Sequence, residues 1–94
     1  MKNSTVELIT PLLKALRSYS ILDEVRPTAF YLEGKDFLHF HELEEDVVCD
    51  VWLTKGRVRM PVSTAFEQSE LLDRIEAKLE ALELHKTKKS GKKY

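Results

Sequence analysis

Phe37-Leu38-His39-Phe40-His41-Glu42-Leu43, followed across Glu44-Glu45-Asp46 by Val47-Val48-Cys49-Asp50-Val51-Trp52-Leu53, decides the fold of this chain. Both runs are rich in aromatic and β-branched residues, and their apolar positions recur every second residue, the period of a strand with one face buried. A connector as short as Glu44-Glu45-Asp46 permits only an antiparallel neighbour. Working outward, Thr28–Glu33 precedes the pair across Gly34-Lys35-Asp36, and Arg57–Val62 follows it across Thr54-Lys55-Gly56. The four segments read as a four-stranded antiparallel meander.

The flanks change period. Val6, Ile9, Leu13 and Leu16 recur at spacings of three and four, which predicts a helix over about residues 5 to 18, kinked at Pro11. Ser4 and Glu7 have the spacing of a capping box at its start. Ile21, Leu22 and Val25 fall in an irregular connection bounded by Ser18-Tyr19-Ser20 and Arg26-Pro27. After the strands, Thr64 and Glu67 form a second capping box, with Phe66, Leu71, Leu72, Ile75, Leu79 and Leu82 along one side of a helix. Acidic Glu67, Glu70 and Asp73 occupy its early turns, where the helix dipole favours them. The expectation is an α+β two-layer sandwich of order α-β-β-β-β-α, with both helices on one face of the sheet. Residues 1–85 form a single domain, and 86–94 a disordered Lys-rich tail.

Alternation divides the strands into two faces. Phe30, Leu32, Leu38, Phe40, Cys49, Val51, Leu53, Val58, Met60 and Val62 belong under the helices. Tyr31, Glu33, Phe37, His39, His41, Leu43, Val48, Asp50, Trp52, Arg57 and Arg59 then point the other way. A register with connections of three, four and four residues sets Tyr31, His39, Trp52 and Arg59 in one cross-sheet row, with His41 opposite Asp50.

That open face supports three readings besides simple cross-strand stacking. Tyr31, Phe37, Leu43, Val48 and Trp52 make it unusually apolar, and Tyr, Trp and Arg are the types that concentrate binding energy at interfaces. This favours a non-enzymatic binding or interaction module using Tyr31, His39, Trp52, Arg57 and Arg59, joined by self-association or by a protein partner. The second reading is a small metal-dependent or acid–base enzyme. His39 and His41 project from one face and, with Asp50, form a two-His, one-carboxylate set; alternatively His41 oriented by Asp50 serves as a base while Arg59 holds an anion. No cofactor is expected on the favoured reading, and a divalent metal only on the second. Cys49, on the helix-covered face, reads as packing rather than as a reactive thiolate.

The third reading concerns charge. Lys+Arg of 15 against Asp+Glu of 16 gives a net charge of −1 over 94 residues. The Lys86–Lys93 segment holds five of the basic residues, leaving a body near −6. An acidic body is a poor nucleic-acid surface, so such binding is expected only through that tail, by phosphate contacts that weaken with salt. No stretch approaches the ~20 apolar residues of a membrane span, and no charged-then-apolar leader opens the chain. One cysteine excludes an internal disulfide, and the composition fits the cytoplasm.

The segments from Ala29 to His41, from Cys49 to Leu53 and from Arg59 to Gln68 together resemble the luciferase-domain family of small proteins, over roughly residues 15 to 84. The shared positions map to His39, His41, Asp50 and the stretch from Arg59 to Glu67. Many members carry a helical insertion between the Asp strand and the final strand, where this chain has only Thr54-Lys55-Gly56. The resemblance implies a fold and these shared positions, and no particular activity.

Overall fold

A computed structural model describes residues 1–26, 28–53 and 56–82. Its elements run α1 (Asn3–Arg17), β1 (Leu22–Arg26), β2 (Ala29–Leu32), β3 (Lys35–Leu43), β4 (Asp46–Leu53), β5 (Gly56–Pro61) and α2 (Ala65–Ala81). The five strands form one antiparallel sheet in sequence order. The α+β class and the meander are as expected, and the count of four strands is corrected to five. The expected Lys-rich tail of residues 86–94, and His85, lie outside the described residues.

The added strand is β1, in the segment that reads as an irregular connection. It is an edge strand in which Leu22 alone is buried, so its sequence shows no alternation. Backbone pairing of Leu22 with Leu32 and of Asp23 with Tyr31 defines it instead. Arg17, in the last turn of α1, clamps it by donating from Nε and Nη2 to the two carboxylate oxygens of Glu24, both at 2.8 Å.

Ile9, Leu12, Leu13 and Leu16 of α1 and Leu71, Ile75 and Leu79 of α2 share one core with Phe30, Leu38, Phe40, Val47, Cys49 and Val51 of the sheet. Alternation therefore assigns these sheet residues to the helix-facing side correctly. His39 and Arg59 lie on the other side of the sheet, while Trp52, near its end, borders a groove with Lys78 and Leu82 at the end of α2, and none of the described helices is long and apolar enough to cross a membrane.

The two helix starts differ. At α2 the capping box forms as read: Thr64 Oγ1 accepts from Glu67 N–H at 3.1 Å, and Glu67 Oε1 accepts from Thr64 N–H at 3.2 Å. At α1 the Ser4–Glu7 box does not form; the cap position is Lys2, with no side-chain cap of its own. Glu42 of β3 takes that role, accepting from Lys2 N–H at 3.3 Å and from the Thr5 hydroxyl at 2.6 Å. The Thr5 hydroxyl, together with Lys2, holds the Glu42 carboxyl below its usual range. A remote carboxylate thus neutralises the positive end of the helix. Phe66, expected under the helix, is instead 73% exposed, and Gln68 is buried in the same turn. Gln68 Nε2 donates to Leu8 O at 2.8 Å and to Val62 O at 2.9 Å, tying α2 to α1 and to the end of the sheet.

Registers differ from expectation by two residues or more. Leu32 pairs with Lys35, Leu43 with Asp46 and Leu53 with Gly56, so every β2–β5 hairpin closes over two residues. In the first, Glu33 (φ 55°) and Gly34 (φ 83°) are both left-handed, the backbone of a turn whose twist matches the strands it joins. The second has Glu44 at φ 52°. Two-residue loops are tighter than the connectors of three and four residues read from composition, and they move each cross-strand partner.

The β2–β3 ladder also holds a bulge, with Phe30 opposite Leu38 but Tyr31 opposite Asp36. Phe37 is the extra residue. Two successive residues then turn to the same side, so Phe37 joins Leu38 in the core at 3% exposed, rather than lying on the open face as its parity implies.

Candidate functional site

The open face is built by β3, β4 and β5. Relative to the expected row, the register shift regroups its side chains: His39 lies opposite Asp50, Asp50 opposite Arg59, His41 opposite Val48, and Trp52 opposite Arg57. Tyr31 pairs with Asp36 rather than with His39. The Tyr31–His39–Trp52–Arg59 row is therefore not formed, although all four residues remain on the face to which alternation assigns them.

Asp50 is the centre of the new arrangement. It lies in the middle strand of the three, with its side chain only 10% exposed. Arg59 grips it in a two-pronged hydrogen bond, Nε to Oδ1 at 2.8 Å and Nη2 to Oδ2 at 3.1 Å. That grip, with smaller contributions from the nearby histidines, lowers the Asp50 pKa against the opposing effect of burial and raises that of Arg59. Asp50 is accordingly an ionised carboxylate at neutral pH.

Both histidines aim Nε2 at one oxygen of this carboxylate. His41 Nε2 is 3.3 Å from Asp50 Oδ2 and His39 Nε2 is 3.7 Å from the same atom. The two rings meet edge to face, with centroids 4.8 Å apart and planes at 83°. On its other side, His39 Nδ1 lies 3.4 Å from Asp36 Oδ1, and Arg57 Nη2 lies 3.3 Å from Asp36 Oδ2. Arg57 also sits over the Trp52 ring, 5.2 Å from its centroid, a cation–π contact. One chain of contacts thus runs from Trp52 through Arg57, Asp36, His39 and Asp50 to Arg59, with His41 joining at Asp50.

Asp36 is the participant that sequence reading misses, because composition assigns Gly34-Lys35-Asp36 to a connector. The bulge at Phe37 is what puts Asp36 on the same side as His39, three residues later. A signal was present: adjacent Phe37 and Leu38 break strict alternation, and Glu33-Gly34 alone suffices for a two-residue turn.

Cys49 is fully buried on the helix side, and burial pushes its thiol pKa far up, so it offers no thiolate. Ser63 is engaged at the start of α2: its hydroxyl oxygen accepts from Val47 N–H at 2.9 Å, and its own N–H donates to Glu67 Oε1 at 3.0 Å. Beside the histidines runs an open groove of about 250 Å³, bordered by Arg26, Tyr31, Asp36, His39 and His41.

Among the described residues, His39, His41 and Asp50 form a cluster with potential ligand atoms all within 4.8 Å of one another. The arrangement can hold a proton, an anion or a cation at its outer rim. No family model, curated protein or solved structure matches the chain.

Proposed function

We propose that the protein works by binding rather than by catalysis, and that the uncovered face of the sheet is its contact surface for a second copy of the chain. The observation that carries this is Trp52, a large side chain left 42% exposed, with Arg57 stacked over it. Tryptophan and arginine are the residues that most often dominate an interface. Leu43 and half-buried Tyr31 add apolar area to the same face. Its charges come as matched pairs, Asp36 with Arg57 and Asp50 with Arg59, so two copies can meet about a two-fold axis without net repulsion. The burial of Phe37 makes the face less apolar than its sequence implies and concentrates the contact on Trp52. Native mass spectrometry and sedimentation test this: the parent chain runs as a dimer and Trp52→Ala as a folded monomer. A parent monomer throughout the micromolar range refutes it.

A second reading, a small metal-dependent or acid–base enzyme, is favoured by one observation, the convergence of His39 and His41 on Asp50 Oδ2. His41 is the more exposed histidine and would carry the proton, with Asp50 orienting it. Kinship with the luciferase-domain proteins belongs to the same proposal and rests on His39, His41, Asp50 and the Arg59–Glu67 stretch. A cytoplasmic setting is proposed with it, from a lone thiol kept buried in the core.

A further inference from the structure

The geometry points to a binding site for one divalent transition-metal ion of zinc-like chemistry, held by His39 Nε2, His41 Nε2 and Asp50 Oδ2. It rests on the cluster of the second reading above, whose metal it names without requiring catalysis, and does not depend on the contact-surface proposal.

Four observations carry the assignment. Nitrogen and oxygen ligands bind zinc at about 2.0–2.2 Å, so ligand atoms of a tetrahedral site stand about 3.3–3.6 Å apart. His41 Nε2 and Asp50 Oδ2 already stand at 3.3 Å, and His39 Nε2 is at 3.7 Å from the same oxygen. The set spans up to 4.8 Å, so the two imidazoles must also turn toward each other, closing that span by about 1.3 Å, to meet one ion.

The second observation is the orientation of His39. A metal-binding histidine characteristically donates its other ring N–H to a carboxylate, which fixes the tautomer and makes the free nitrogen a better ligand. His39 Nδ1 faces Asp36 Oδ1 at 3.4 Å, leaving Nε2 for the ion, and Asp36 is itself tethered by Arg57.

Third, the carboxylate has room for a cation. Asp50 Oδ2 accepts one hydrogen bond from Arg59, at 3.1 Å, while a carboxylate oxygen has two lone pairs. Arg59 orients the carboxylate through Oδ1 while its positive charge opposes the ion, so it sets the affinity as well as the geometry.

Fourth, the site is held by strands and open where a further ligand would enter. His39 and His41 of β3 and Asp50 of β4 all sit within the sheet, and both histidines border the groove, His41 with 44% of its side chain exposed. Three protein ligands leave a fourth position for water or a small anion, and two imidazoles with one carboxylate suit zinc, cobalt(II) or iron(II) better than magnesium or calcium.

The experiment uses the untagged full chain. Titration with Zn2+, followed by calorimetry and by native mass spectrometry, reads one ion per chain; Co2+ in its place produces the visible absorption of a low-coordinate site. His39→Ala and His41→Ala each weaken zinc binding at least a hundredfold while far-UV circular dichroism stays that of the parent. Asp36→Asn weakens it about tenfold, the effect of losing an outer carboxylate. Arg59→Gln, which keeps a donor for Asp50 but removes the competing cation, binds at least as tightly as the parent. His85→Ala leaves binding unchanged.

Absence of saturable one-to-one binding overturns the proposal. So does full affinity in both Asp36→Asn and Asp50→Asn, which would reduce the site to a loose His-x-His pair. One ion on a chain that stays monomeric supports this site and refutes the dimer, so the two proposals fail separately.

Discussion

Truncating Phe37 discriminates most sharply between the bulged sheet and a regular one. On a regular strand Phe37 shares a face with His39 and His41, stands partly in water, and its loss costs under about 1 kcal/mol. In the structure it is 3% exposed and packed within the core. Phe37→Ala then removes most of an aromatic side chain from close-packed surroundings and leaves a cavity, at a cost of about 3–5 kcal/mol. That is a large share of the roughly 5–15 kcal/mol that stabilises a domain of this size. The urea midpoint should fall by about 1 M or more with an unchanged slope, and the melting temperature by more than about 12 °C. Phe66→Ala is the matched control: an aromatic of the same size at 73% exposure, expected to shift stability by no more than about 0.5 kcal/mol. A Phe37→Ala loss below about 1 kcal/mol refutes the bulge. With it would go the placement of Asp36 beside His39, on which the outer part of the metal site rests.

Gln68→Met keeps the volume of the side chain and removes its two hydrogen bonds to Leu8 O and Val62 O, a loss of about 2 kcal/mol measured by denaturant unfolding. A lowered Asp50 pKa means that the folded state holds its proton less tightly than the unfolded chain does. The stability this contributes is present above the ordinary aspartate range and is lost as pH falls through the lower, folded value. Asp50→Asn should therefore flatten the acid limb of the stability–pH curve below about pH 4; a parallel acid limb contradicts the Arg59 grip.

Much of the fold is legible locally, and the illegible parts share a cause. Thr64 and Glu67 cap α2 as their spacing says, because a capping box is made between residues three apart on one chain. Ser4 and Glu7 have the same spacing and do not cap α1, because the helix already begins at Asn3 with Lys2 at the cap position, and Glu42, far away in sequence, hydrogen-bonds to its start. β1 escapes notice because an edge strand with one buried residue carries almost no hydrophobic pattern. Phe66 misleads for the opposite reason: it lies near an apolar helix stripe, but at a turn where buried Gln68 makes the contact.

By itself the sequence determined which side of the sheet each of His39, His41, Asp50, Trp52, Arg57 and Arg59 occupies. Side chains alternate with a period of two, and Cys49, Val51 and Leu53 must be buried. It could not determine which of those residues touch. Sliding one strand past another by two residues leaves both faces unchanged, so hydrophobic patterning is blind to that shift. Tertiary structure removes the ambiguity through two-residue turns, which need a left-handed backbone at Glu33, Gly34 and Glu44, and through one extra residue at Phe37. Those backbone details turn an expected aromatic row into a carboxylate gripped by Arg59, with two histidines aimed at it.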